Sequence, residues 1–433
     1  MSFMLLGILN SQAAGGGGNP FYQTSIGNGT TGLGVQYSIG TDVDSNIHLW
    51  AVNGAMLLDS SGAVQWSKKY GQGQISSVAG DATHGTVYSG TTYNPTWTMP
   101  VHKRSISGAI QWAKDLSISG DNVYGGNTIH MDSSGNSYLS VAAGNRMGFA
   151  KFDTNGNFQF AKGLQQIGGS VGPGGITTDS SGNIYTTGAT NGTAGSYRMM
   201  VQKWNSAGAL QWEQRFGNGY GGQLFGNDIA VDSNGNVFVV GNTYYSTFGS
   251  QDAFIIKYNS SGSYLWAKHY GTGNNEEFHT VGIDENDYVY AFGSNSGSLN
   301  GKSYYIGFMF KMDNNGTTQY QRYLDAGTGQ NRPPGVVTPD GAMVMSGEID
   351  SNLGSASNAF VAKQRQDGTS QPNYITLYGQ QTKYAASNLS EAYHSPPYGN
   401  TGLSVVTMGF TVTNQSFADT NITSFTQDTA VLP

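Results

Sequence analysis

The chain has 433 residues, with Gly 64, Cys 0, 12% aromatic residues, 11% charged residues and a formal net charge of -7. Glycine at about twice its ordinary usage and so few charges exclude a coiled coil, while many aromatics and a small net charge argue against disorder. Without cysteine there are no disulfides, thiolate metal sites or cysteine nucleophiles, and 20 Lys and Arg against 27 Asp and Glu leave no basic footprint for nucleic acid.

Taken in chain order, Met1 to Leu9 (MSFMLLGIL) is apolar and leads through Ser11-Gln12-Ala13-Ala14 to the run Gly15 to Gly18. No Lys or Arg precedes the apolar run, as a secretory signal would require. Neither this run nor any other approaches the roughly 20 apolar residues of a membrane-spanning helix. Residues 1–19 are therefore expected to be an uncleaved docking peptide on a flexible tether, with Phe3, Met4, Leu5, Leu6, Ile8 and Leu9 as its contacts. Residues 20–433 are expected to form one folded body.

That body is repetitive. An aromatic residue five positions before a Gly, or its equivalent, recurs at Trp66, Trp112, Phe160, Trp212, Trp266, Tyr320 and Tyr374, with spacings from 46 to 54 residues. An Asp-Ser-Ser/Asn-Gly-Asn turn starts at Asp132, Asp179 and Asp232, with degenerate copies at Asp44, Asp284 and Pro339. Apolar strands ending in Lys151, Lys203, Lys257, Lys311 and Lys363 precede Gly turns. Each unit reads as four short strands rich in β-branched and aromatic residues, bounded by Gly, Asn, Ser or Asp. Four antiparallel strands in about 50 residues is the pattern of a β-propeller blade.

The ends set the expected count. Phe21, Tyr22 and Ile26 lie in a segment that copies the outermost strand, with Tyr22 five residues before Gly27. Leu403 to Phe425 offers strands without an aromatic outer one. The spacing predicts an all-β, single closed β-propeller of eight blades, with seven as the lesser count. Phe21 to Ile26 would complete the C-terminal sheet around Ala418 to Phe425. The DSSGN…YTTG…K…SG…W pattern resembles the SBBP-type β-propeller repeat, most strongly between residues 125 and 325. That resemblance implies the fold and leaves function open.

Chemistry is sparse. Asp42-Val43-Asp44-Ser45-Asn46 places oxygens at alternate positions, as a calcium loop does, and Asp284-Glu285-Asn286-Asp287 is the most acidic copy, but Ser and Asn at the recurring positions suit tight turns. Gly217-Asn218-Gly219-Tyr220-Gly221-Gly222 fits G-x-G-x-x-G, yet a strand follows it instead of a helix. His130 and His279 fall on predicted inner strands and are candidates for a central channel, with Glu276 and Glu277 beside His279. No nucleophile–base set can be named, so no catalytic residue, metal or cofactor is expected. The once-per-unit aromatics Trp66, Trp112, Trp212 and Trp266 read as wedges between blades. The candidate ligand contacts are aromatics in nonrepeating loops: Tyr93, Trp97, Tyr244, Tyr245, Tyr304 and Tyr305.

The segment MSFMLLGILNSQAAGGGG resembles the opening peptide of virion structural proteins of tailed bacteriophages, especially marine ones. The resemblance implies a noncatalytic virion component on the tail, neck, fibre or capsid. Its partners would be other virion proteins, copies of itself and a host surface polysaccharide, with no nucleic acid. Two alternatives stand beside it: a secreted or cell-surface glycan-binding propeller, and a propeller lyase or hydrolase.

Overall fold

The computed structural model describes residues 22–27, 38–51, 54–70, 74–81, 83–93, 97–166, 170–191, 197–216, 223–244, 251–271, 274–299, 302–325, 334–339, 341–350, 357–364, 374–377, 380–386, 390–393, 403–407, 411–414, 419–421 and 426–431. The expected docking residues Phe3 to Leu9, Phe21 and the glycine-rich stretch at 217–222 lie outside them. Every regular element described is a β-strand. Among the described residues no helix is long and apolar enough to cross a membrane.

Six blades take four consecutive antiparallel strands each. Blade 1 is Ser38–Thr41, Ile47–Ala51, Gly54–Leu58 and Val64–Tyr70; blade 2 is Gln74–Asp81, Gly85–Tyr93, Trp97–Arg104 and Ile110–Ser117. Blade 3 is Val123–Met131, Ser137–Ala143, Arg146–Phe152 and Phe158–Gln166; blade 4 is Val171–Thr178, Ile184–Thr190, Arg198–Trp204 and Leu210–Phe216. Blade 5 is Leu224–Val231, Val237–Thr243, Asp252–Tyr258 and Tyr264–Gly271; blade 6 is Asn275–Ile283, Val289–Leu299, Lys302–Met312 and Thr318–Asp325. A composite sheet fills the remaining place, in the order Gly335–Val337, Met343–Asp350, Ser357–Gln364, Tyr22–Gly27 and Thr426–Val431.

The expected count of eight blades, or of seven, is thus corrected to six repeat-built blades and one composite sheet. Counting outer aromatics overcounts because Tyr374 does not open an outer strand. Tyr374–Leu377 instead makes a hairpin with Gln380–Ala386 on the outer edge of blade 6. The expected closure is corrected too. Tyr22–Gly27 lies between Ser357–Gln364 and Thr426–Val431, not against a blade around Ala418 to Phe425. Among the described residues no strand ladder joins one sheet to the next; side chains close the ring, where Ile39, Ile47, Leu49, Met56 and Leu58 of blade 1 pack with Val344 and Val361.

Second strands are buried on both faces because each blade is covered by its two neighbours, so they read as apolar runs. Every residue of Ser137–Ala143, Ile184–Thr190 and Val237–Thr243 is buried. Outer strands are less covered: in Leu210–Phe216 Gln211 is exposed and Leu210, Trp212 and Gln214 are half-buried.

The Asp turns join inner to second strands. Asp132 Oδ1 accepts N–H bonds from Ser134 and Asn136 at 3.0 and 2.9 Å, and Oδ2 accepts from the Asn136 amide and the Tyr138 hydroxyl at 2.9 and 3.0 Å. Burial alone would raise the Asp132 pKa, but these donors hold it below the usual carboxylate range. Asp179 repeats the arrangement. Asp42 does so with His48 Nε2, 2.9 Å from Oδ2, in place of the tyrosine. Both oxygens serve the turn, which is why the copies keep Asp and Asn together.

The other repeated residues meet in one clasp between blades. Trp66 Nε1 donates to Ile106 O (2.9 Å), Trp112 to Thr154 O (3.1 Å) and Trp212 to Ser260 O (3.2 Å), each in the third-to-outer turn of the following blade. The rings lie over Gly108, Gly156 and Gly262 of those turns. A third-strand lysine reaches the same turn: Lys103 Nζ donates to Thr154 Oγ1 at 2.9 Å, and Lys257 Nζ to Asn314 O at 2.7 Å. The lysine ammonium lies over an aromatic ring of its own blade, as Lys257 Nζ does over Phe238, 4.9 Å from the ring centroid. Aromatic, lysine and glycine turn are one device split across the sequence.

After blade 6 and the first three strands of the composite sheet, the chain turns back around the ring. Gln380–Ala386 pairs with the outer strand of blade 6, Ser390–Tyr393 with blade 5, Leu403–Thr407 with blade 3, Thr411–Asn414 with blade 2, Asp419–Asn421 with blade 1 and Thr426–Val431 with Tyr22–Gly27. This belt adds a strand to edges that would otherwise offer unpaired N–H and C=O groups.

Candidate functional site

The inner strands of all seven sheets surround a central channel of about 690 Å³. In blades 2 to 6 each inner strand is irregular at the same level, with register shifts at Ile75/Ser77, Gly125/Ile129, Pro173/Ile176, Gly226/Asp228 and Phe278/Thr280. A bulge leaves extra residues outside the ladder and re-aims side chains. Here those residues include Thr128, Asn227 and His279, which line the channel together with His130, Asp228, Glu277 and Thr280.

Strand alternation separates the two adjacent glutamates. Glu276 is fully buried in blade 6, with its Oε1 accepting from the Asn295 amide at 2.6 Å, while Glu277 faces the channel. Glu277 Oε1 stands 3.7 Å from His279 Nδ1 and accepts from the Asn227 amide at 3.1 Å. His279 Nε2 is 2.7 Å from Ser294 Oγ. The structure therefore brings together Glu277 and His279, and leaves Glu276 out. His130 is 2.9 Å from Thr178 Oγ1, and burial pushes its pKa down to about 4 against the raising influence of Asp132, so the ring is neutral at physiological pH.

Most of these groups bridge neighbouring blades. Thr128 Oγ1 donates to Gly174 O (3.1 Å), Asn227 Nδ2 to Phe278 O (2.8 Å) and Thr280 Oγ1 to Gly335 O (2.6 Å). The Val281 N–H donates to Asp228 Oδ2 at 2.9 Å. Burial pushes the Asp228 carboxyl up to about 7, although the Val281 and Ile229 N–H groups pull it down. Among the described residues no group of three or more His, Asp and Glu side chains is placed to hold a metal ion.

A folded pKa above the unfolded value means that the unfolded state ionises first as pH rises. Asp228 therefore weakens the fold progressively from about pH 4 to about pH 7 and at a constant level above that. Asp228→Asn, which keeps an oxygen for the Val281 N–H, is expected to raise Tm by a few degrees at pH 8 and to converge with wild type near pH 4. Melting curves across that range check it; parallel pH profiles would show that Asp228 is not the titrating group.

The two ends of the channel differ. Antiparallel order puts the inner-to-second and third-to-outer turns on one face of the disc, which is tiled with Asp and Gly turns. Second-to-third loops and blade crossovers emerge on the other, the loop face, where nonrepeating sequence collects. Trp97 and Tyr244 lie on this loop face and are 36% and 54% exposed. Tyr244 stands edge-on to Phe225, with ring centroids 6.2 Å apart, and Phe225 in turn lies 4.8 Å from Tyr197. Tyr93 pairs with Trp97 in the blade 2 hairpin, and Tyr304 and Tyr305 pair with Gly297 and Ser296 in blade 6. Tyr245 lies outside the described residues. Tyr124, 43% exposed beside Trp97, was not legible as a surface residue, because its position early in an inner strand reads as core.

In overall shape the chain is similar to the periplasmic gluconolactonase PpgL of Pseudomonas aeruginosa, at 11% identity and TM-score 0.44, over 69% of this chain and 94% of that one. It is also similar to a protein of unknown function from Bacteroides caccae (12%, TM-score 0.38, 57% and 93%). A third similar structure is the gluconolactonase XC5397 of Xanthomonas campestris (12%, TM-score 0.35, 59% and 82%). No curated protein matches the chain in sequence. The SBBP β-propeller repeat matches residues 164–194 and 211–246, the segments that run from the outer strand of one blade through the second strand of the next in blades 3 to 5. The chain is a β-propeller carrying SBBP-type repeats over those residues.

Proposed function

We propose that this chain is a noncatalytic binding propeller of a bacteriophage particle, held by its N-terminal peptide and presenting the loop face to a host surface polysaccharide. The observation that carries the binding role is the division of the disc: repeat turns tile one face, and exposed aromatics in nonrepeating loops collect on the other. Exposed aromatic rings with nearby polar groups are the general equipment of recognition surfaces. The noncatalytic part is supported by the channel, whose polar groups hold neighbouring blades together. The particle assignment rests on the resemblance of Met1 to Gly18 to virion proteins, and Phe3 to Leu9 would supply the dock.

A hydrolase in the channel is the second reading, favoured by the raised Asp228 pKa and the Glu277–His279 pair. One experiment separates them. Purified protein incubated with host envelope polysaccharide is expected to bind it and return it at unchanged chain length. Release of shortened glycan, lost in Asp228→Asn or Glu277→Gln, would establish the hydrolase instead. Immunogold labelling of purified particles tests the location; particles that carry no label refute it.

A further inference from the structure

We propose that the junction of blades 2 and 3 on the loop face is a binding site for a neutral oligosaccharide, with Trp97 and Tyr124 as its stacking floor. The proposal rests on the binding role above and locates it. Trp97 and Tyr124 are 36% and 43% exposed, with ring centroids 6.4 Å apart and planes tilted by 38°. A packing pair would be covered. Two bared, non-coplanar rings side by side instead offer faces to two successive sugar units, whose C–H surfaces stack on aromatic rings while their hydroxyls need polar partners.

Those partners border the rings. Asn122 Oδ1 accepts the backbone N–H of Trp97 at 3.2 Å, and the side-chain NH₂ of this exposed residue can donate to a hydroxyl. Asp121, beside Asn122, and Arg146, at the start of the third strand of blade 3, form a partly exposed ion pair. The pair offers carboxylate acceptors and guanidinium donors to hydroxyl groups. Because Asp121 neutralises Arg146 and the whole chain carries -7, an acidic polysaccharide is disfavoured and a neutral one fits.

The floor is also rigid. Residues 118–122 cross from blade 2 to blade 3 as a tight turn, with the Asp121 N–H donating to Ile118 O at 3.2 Å and Gly120 at φ 83°. Asp121 sits over Gly144 in the adjoining hairpin of blade 3, so both blades fix it. A site ordered before binding loses less entropy when the ligand arrives.

The test is calorimetry of the full chain with neutral hexaoses of β-glucan and mannan, and with an acidic hexagalacturonate. A neutral hexaose is expected to bind and the acidic one not. Trp97→Ala and Tyr124→Ala should each weaken binding by about tenfold or more, Trp97→Phe should restore most of it, and Tyr244→Ala, on the other aromatic patch, should leave it unchanged. Unaltered melting temperatures in all four variants keep the comparison sound, since each residue is exposed. The site is overturned if no neutral hexaose binds at millimolar concentration, or if Tyr244→Ala costs as much as Trp97→Ala. It is overturned in favour of a protein interface if another virion protein covers Trp97 and no oligosaccharide binds. Adsorption to host polysaccharide that Trp97→Ala leaves intact would refute this site and spare the binding role; no adsorption by wild type would refute the role itself.

Discussion

Gly156→Val is expected to destabilise the propeller by about 2–5 kcal/mol. Gly156 closes the third-to-outer turn of blade 3 at φ 78°, a region that costs an L-residue about 1–2 kcal/mol. A Cβ there would lie 2.6 Å from Trp112 Cδ2, so the ring that clasps blade 2 to blade 3 must move, at a further cost of about 1–3 kcal/mol. Trp112 cannot move freely: its Nε1 donates to Thr154 O at 3.1 Å, and the ring stacks 5.9 Å from Phe152. Gly120 is the control, because it has φ 83° and nothing within 4 Å of the added atom. Gly120→Val should show the backbone cost alone. Urea midpoints of the two variants measure the difference, and equal shifts would mean that the aromatic clasp is slack.

Ending the chain at residue 373 is expected to make the protein self-associate. The deletion strips the belt from the outer strands of blades 1, 2, 3, 5 and 6 and from Tyr22–Gly27. Each stripped strand then exposes a row of N–H and C=O groups able to pair with another molecule. Light scattering across a concentration series should show growth of large species that the full chain does not form. A truncated chain that matches the full chain in size and melting temperature would show that the belt protects nothing.

What the sequence made legible follows from periodicity, and what it hid follows from pairing. Strand type, blade unit and the wedge role of Trp66, Trp112 and Trp212 are all local or periodic signals. The belt is neither. Leu403–Thr407 has an ordinary strand pattern, and nothing in it specifies Lys162 to Gln166 as its partner more than two hundred residues earlier. The count of blades failed for the same reason, since Tyr374 has the spacing of an outer strand and the pairing of a belt hairpin. Lys103 and Lys257 recur visibly, but their targets, Thr154 and Asn314, lie on the next blade and become apparent only in three dimensions.

At the candidate site the inner-strand placement of His130 and His279 was readable, and their company was not. A bulge leaves no mark in strands as glycine-rich as Val123–Met131 or Val171–Thr178, so the shared level at which Thr128, Asn227 and His279 turn inward could not be foreseen. Trp97 was readable as a loop aromatic; its neighbour Tyr124 and Arg146 come from blade 3, and Asp121 and Asn122 from the crossover that leads to it.

The belt also changes when this molecule can exist. In a simple repeat array each unit touches only its neighbours, and early units can settle while later ones are still being made. Here Tyr22–Gly27, synthesised before the strands of blades 1 to 6, waits for Ser357–Gln364 on one side and Thr426–Val431 on the other. Blade edges finished in the order 1, 2, 3 are then sealed in the reverse order, 6, 5, 3, 2, 1, by a segment synthesised after all of them. Each nascent chain therefore passes through a period in which every repeat-built blade is complete and the outer edges of blades 1, 2, 3, 5 and 6 still wait for the belt strands that pair with them.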